Sequence, residues 1–155
     1  MALGCARVTA LTACRRWLLR LSLAALRSPL VAAAAVLSEG DARAVRSVIE
    51  AQLEALAADD AERAYSYASA AIRTQFGDAA AFMAMVRSGY PMVVRPETVT
   101  FFQPQSNDGA VLQPVQLRDR AGRLWRATYQ LERQSGGVWR INGCTVVPDT
   151  GKSLT

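Results

Sequence analysis

"RLWRATYQLERQSGGVWRINGCTVV", residues 123–147, decides how this chain folds. In its first half Trp125, Ala127, Tyr129 and Leu131 alternate with Arg126, Thr128, Gln130 and Glu132. A period of two gives a strand one apolar face and one polar face. "QSGG" at 134–137 has the composition of a hairpin turn. Residues 138–147 then read as a second strand, with Gly143 marking a bulge. The pair is an antiparallel hairpin at the C-terminal end of the chain.

Moving upstream, "ETVTFFQ" (97–103) reads as a strand and "SNDG" (106–109) as a turn. "AVLQPVQLRD" (110–119) is a further strand, where Pro114 predicts an edge position or a bulge. "DRAG" (119–122) turns the chain into the hairpin. Four strands therefore follow one another as a meander.

Before residue 97 the period changes to 3.6. Val45, Val48, Ile49, Leu53 and Leu56 form one stripe over residues 41–58, opposite Arg43, Arg46, Glu50 and Glu54. Ser38 or Asp41 can cap this helix. A second helix over 59–69 is capped by Asp60 and turns Ala61, Ala64, Tyr65 and Ala68 inward. A third, over 76–91, starts at Gly77-Asp78, buries Phe82, Met83, Val86 and Tyr90, and stops at Pro91. Helices followed by an antiparallel meander define an α+β domain over residues 39–148. A curved sheet of about four strands wraps three N-terminal helices, and residues 149–155 read as a loose tail.

Eighteen basic and thirteen acidic side chains give a formal charge of +5. Five of the arginines, Arg7, Arg15, Arg16, Arg20 and Arg27, lie in residues 1–38, which hold no acid. The rest of the chain balances, so no net field attracts phosphates, and nucleic acid is excluded as an expected partner. Residues 1–38 read as a targeting segment. "RRWLLR" (15–20) resembles a twin-arginine export motif, and "SPLVAAAAVLS" (28–38) supplies an uncharged run with small residues for cleavage. Export to the periplasm or outside the cell follows from a cut there. An uncut membrane anchor is the rival, opposed by Arg20, Arg27 and Pro29, which interrupt the apolar run.

The chain has no histidine, and of its three cysteines only Cys144 lies outside residues 1–38. No metal site, no cofactor motif and no intramolecular disulfide of the domain is expected. Cys144 would need a nearby cation or base to be nucleophilic. Arg140 is four residues away along a strand, a separation of about 13 Å by strand rise. Cys144 therefore reads as a small buried hydrophobe.

With this order of elements, "FMAMVRSGYPMVVRP" (82–96) and "WRINGC" (139–144) resemble the nuclear-transport-factor-2-like superfamily, also called SnoaL-like or cystatin-like. Within it they are similar to a bacterial family known as a domain of unknown function. The resemblance covers about residues 40–148. It implies a cone-shaped α+β fold, often dimeric, with a pocket at the open end. It leaves function open, because the superfamily includes isomerases, dehydratases, ligand binders and adaptor domains.

Tyr65, Tyr90, Trp125, Tyr129 and Trp139 are the candidate pocket residues. Aromatic side chains offer an apolar body and, in tyrosine, a hydroxyl that orients a ligand. Proton-transfer chemistry would also need a sealed carboxylate. No acid lies mid-strand on the face of Trp125 and Tyr129. Asp59 and Glu132 are the acids left to reach a pocket rim. Arg126 and Arg140 on adjacent strands could hold an anion, but pairing across strands with residues such as Glu132 is the plainer reading. The expected activity is non-catalytic binding of a small apolar ligand or a protein partner, with a homodimer possible. The alternative is an isomerase or dehydratase using a pocket tyrosine and a rim carboxylate.

Overall fold

The computed structural model describes residues 37–151. The targeting segment read over 1–38 lies outside the described residues except for its last two. Five helices come first: α1 Glu39–Ala57, α2 Ala61–Ser66, α3 Ala70–Phe76, α4 Ala79–Gly89 and the single turn α5 Pro91–Val94. Five strands follow: β1 Thr98–Phe101, β2 Gln105–Asn107, β3 Ala110–Arg118, β4 Leu124–Arg133 and β5 Trp139–Pro148. They form one antiparallel sheet in the order β1-β3-β4-β5, with β2 also paired to β3. The expected α+β architecture is present, with helices on one face of the sheet. Among the described residues no helix is long and apolar enough to cross a membrane.

Helix starts follow the capping residues. The Ser38 hydroxyl accepts from the Asp41 amide at 3.1 Å, Asp60 from the Arg63 amide at 3.0 Å and Asp78 from the Ala81 amide at 2.7 Å. Each satisfies an amide that has no partner inside its helix. At the other end of α1, Arg95 Nε donates to the Ala57 carbonyl at 2.9 Å.

The core is the stripe of α1 pressed on the inner face of the sheet. Val45, Ile49, Leu53 and Leu56 meet Val111, Val115, Leu117, Ala127, Tyr129, Leu131 and Ile141. Phe82, Met83 and Val86 of α4 complete it. Full burial of each large apolar side chain is worth roughly 1.5–3 kcal/mol, so this face outweighs the weak propensity of the short helices α2, α3 and α5.

Three expectations need correction. The helix predicted over 59–69 ends at Ser66, and a separate α3 follows. Ser69 caps α3, accepting from the Ile72 amide at 3.2 Å. α3 is seven residues long with two large apolar residues at helical spacing, Ile72 and Phe76, neither fully buried, which is too short a stripe for periodicity to separate from α2. Pro91 stops α4 as expected, but it also opens α5 from its first position, where its missing N–H costs nothing.

The first strand is shorter than 97–103, and Ser106 and Asn107 belong to β2 rather than to a turn. The break between β1 and β2 explains Pro114, which sits in β3, inside the sheet rather than at an edge. Phe102 N–H donates to the Pro114 carbonyl at 3.0 Å. The return bond would come from the Pro114 nitrogen, which has no hydrogen. The buried side chain of Gln113 supplies it instead, donating from Nε2 to the Phe102 carbonyl at 2.7 Å.

The third correction concerns only the first residue of the tail read over 149–155, since residues 152–155 lie outside the described residues. Asp149 is fixed: Gln116 Nε2 donates to its carboxylate at 2.7 Å, Arg126 pairs with it at 2.8 Å and its amide bonds the Leu124 carbonyl. These donors hold its carboxyl below the usual carboxylate range. Arg126 is thereby taken up by Asp149 rather than by a cross-strand acid, and its guanidinium also lies 4.3 Å from the Phe102 ring centroid. Arg140 is the register partner of Glu132 and donates to the Trp139 carbonyl. The two arginines do not converge on an anion site.

Candidate functional site: an uncharged cavity between the helices and the sheet

A β-bulge builds the floor of this site. Gln130 pairs with Gly143, but Leu131 pairs with Ile141, so Asn142 is an extra residue on β5. Without it, Ile141 and Cys144 would point to opposite faces, because they are three positions apart. The bulge brings both inward and leaves Arg140 facing outward beside Glu132. Asn142 itself anchors the helices: the Ser69 hydroxyl donates to its Oδ1 at 2.7 Å. Around it, the Ser69 amide bonds the Ile141 carbonyl at 2.8 Å and the Ile141 amide bonds the Tyr67 carbonyl at 2.9 Å. The segment between α2 and α3 is thus stitched to the edge of β5.

A cavity of about 240 Å³ lies above this floor. Gln52 and Leu56 of α1, Ile72 and Phe76 of α3, and Phe82, Met85 and Val86 of α4 form its walls. Tyr90 and Val93 close one side, and Tyr129, Ile141 and Cys144 form the sheet side. No Asp, Glu, Lys or Arg among the described residues lines it.

Its polar side chains are Gln52, Gln75, Tyr90, Tyr129 and Cys144. Tyr129 and Cys144 are register partners on β4 and β5, and both line the cavity. Burial, and then the neighbouring thiol, push the Tyr129 hydroxyl well above its ordinary range. Burial pushes the Cys144 thiol up to about 12, against a smaller lowering by the neighbouring Tyr129 hydroxyl. Both groups are neutral in any ordinary buffer. Gln52, 5% exposed, donates from Nε2 to the Ala64 carbonyl at 3.2 Å. Its Oε1 accepts no hydrogen bond from the described residues.

Of the five aromatic residues singled out from the sequence, the structure brings Tyr90 and Tyr129 together in this cavity. Tyr65 stands behind the wall. Its hydroxyl donates to the Arg73 carbonyl at 2.5 Å, and its ring packs 5.6 Å from that of Phe82. Trp125 lies elsewhere, its Nε1–H donating to Asp119 at 2.9 Å. Trp139 ties the end of β5 to the start of α1, donating to Asp41 at 3.2 Å beneath the Arg133 guanidinium. The acids left as rim candidates also lie outside the lining. Asp59 pairs with Arg87, and Glu132, which accepts from Gln134, is on the outer face of the sheet. Sequence reasoning passed over Gln52, although a polar residue on the apolar stripe of α1 is a legible signal.

No curated protein and no solved structure matches the chain. Residues 38–154 match one family model, well over half of the sequence and all but one of the described residues. The chain therefore belongs to the family described as Domain of unknown function (DUF4864).

Proposed function

We propose that this protein is an exported, nuclear-transport-factor-2-like binding protein that holds a small neutral apolar ligand in the cavity above Tyr129 and Cys144, without catalysis. The observation that carries this reading is the uncharged lining. A carboxylate or ammonium buried there would lose its hydration with no opposite charge to replace it, a cost of several kcal/mol. A neutral aromatic or aliphatic body loses nothing of the kind and gains burial. A cavity of about 150 Å³ holds benzene, so about 240 Å³ suits a body of about ten non-hydrogen atoms. The open Oε1 of Gln52 favours a ligand bearing one hydroxyl or N–H. The described lining holds no carboxylate, and this supports binding over proton abstraction.

Native mass spectrometry of the protein purified from its natural host tests the reading. The expected result is a chain beginning near Ser38 that carries a neutral molecule, released on denaturation and missing from the cavity-filling variant Ile72→Phe. A full-length mass contradicts export. A chain that retains nothing and is not shifted in stability by any small neutral aromatic or aliphatic compound contradicts the binding role.

A further inference from the structure

A second concavity, of about 600 Å³, opens on the side of α5 away from the cavity. Val93 of α5 faces the cavity, whereas Met92 and Val94 face this groove, so the short helix is the wall between them. Its character is the opposite of the cavity's. Met92, Val94 and Trp125 give it an apolar floor, and Arg87, Arg95, Arg120 and Arg123 stand around it.

One acid, Asp119, lines the groove itself, and its carboxylate is already committed. Asp119 accepts from the amides of Ala121 and Arg123, from the Trp125 indole and from the Arg123 guanidinium. Asp59 pairs with Arg87. Among the described residues Arg95 bonds only through Nε, to the Ala57 carbonyl, and its two terminal nitrogens meet no acceptor there. Arg120, at the tip of the β3–β4 turn, makes no hydrogen bond or ion pair with the described residues. Two guanidinium groups from separate segments thus overlook one apolar floor with no carboxylate partner among the described residues. Guanidinium matches carboxylate and phosphate in a planar, two-bond geometry.

We propose that this groove is a second ligand site, taking a soluble amphipathic anion: a carboxylate or phosphate on Arg95 and Arg120, with its apolar body on Met92, Val94 and Trp125. The site is independent of the neutral ligand in the cavity, because the two concavities differ in charge and are divided by α5.

The test is titration of the ¹⁵N-labelled chain with 1-naphthyl phosphate, followed at the Trp125 indole N–H. The expected result is a saturable shift of that signal, with a dissociation constant at least tenfold higher in Arg95→Gln/Arg120→Gln. Because Arg95 also supports the end of α1, Arg120→Gln alone is the second variant, expected to weaken binding several-fold with an otherwise unchanged spectrum. Equal affinity in all three proteins overturns the proposal. So does a shift confined to Tyr129 and Cys144, which would put the probe in the cavity. Binding to phosphatidylglycerol vesicles but not to naphthyl phosphate also overturns it, in favour of a lipid surface.

Discussion

Tyr129 and Cys144 are paired across β4 and β5 and line the same cavity, a hydroxyl and a thiol at its floor. The bulge at Asn142 and Gly143 creates this relationship by turning Cys144 to the inner face and away from Arg140. It makes the thiol a poor nucleophile and a good reporter.

Cys144 should resist alkylation. With its thiol at about 12, the ionised fraction at pH 8 is about one in ten thousand, against about a quarter for a free cysteine. Iodoacetamide labelling, read on the tryptic peptide of residues 141–152, should be about a thousandfold slower in the native than in the unfolded chain. A ligand in the cavity should slow it further. Rapid native labelling at pH 8 would contradict this assignment. The same shift has a consequence for stability. The native thiol keeps its proton while the unfolded one loses it, so this contribution is complete below about pH 8.5 and declines as pH rises toward 12.

Gln113 and Pro114 should be coupled. Gln113→Leu leaves the Phe102 carbonyl without its side-chain donor, and loss of such a hydrogen bond costs about 0.5–1.5 kcal/mol. Restoring a backbone N–H with Pro114→Val should recover part of that loss, because the new amide can make the return bond. Urea unfolding of the two single variants and the double variant measures the coupling. Additive losses would show that the glutamine is not replacing the missing amide.

Asp119 should make the β3–β4 turn acid-sensitive. The Trp125 indole and then the other donors hold its carboxyl at about 2, below the value of about 3.9 of an unfolded chain. Folding therefore favours the ionised form. Its contribution is complete above about pH 5 and is lost as pH falls through about 2. The melting-temperature difference between wild type and Asp119→Asn should shrink over that window. A constant difference from pH 6 to pH 2 would contradict the account.

What could be read from the sequence was local. The alternation around Tyr129, the stripe of α1 and the caps at Ser38, Asp60 and Asp78 each depend on residues a few positions apart, and all are present in the structure. What could not be read depends on distant partners. The repair of Pro114 needs Phe102, the fixing of Asp149 needs Gln116 and Arg126, and the docking of Ser69 needs Asn142. The cavity follows the same rule. Its lining comes from α1, α3, α4, α5, β4 and β5, so an aromatic residue in the right strand, such as Trp125, can still point into a different concavity.

The most direct test compares 2-naphthol with 2-naphthoate, which share one ring system and differ in charge. Amide shifts of Tyr129 and Cys144 report on the cavity. The account predicts that 2-naphthol moves these signals saturably in the wild type and not in Ile72→Phe, while 2-naphthoate leaves them in place. Entry of the carboxylate as readily as the alcohol, or binding of 2-naphthol undiminished by Ile72→Phe, would contradict a neutral-ligand cavity.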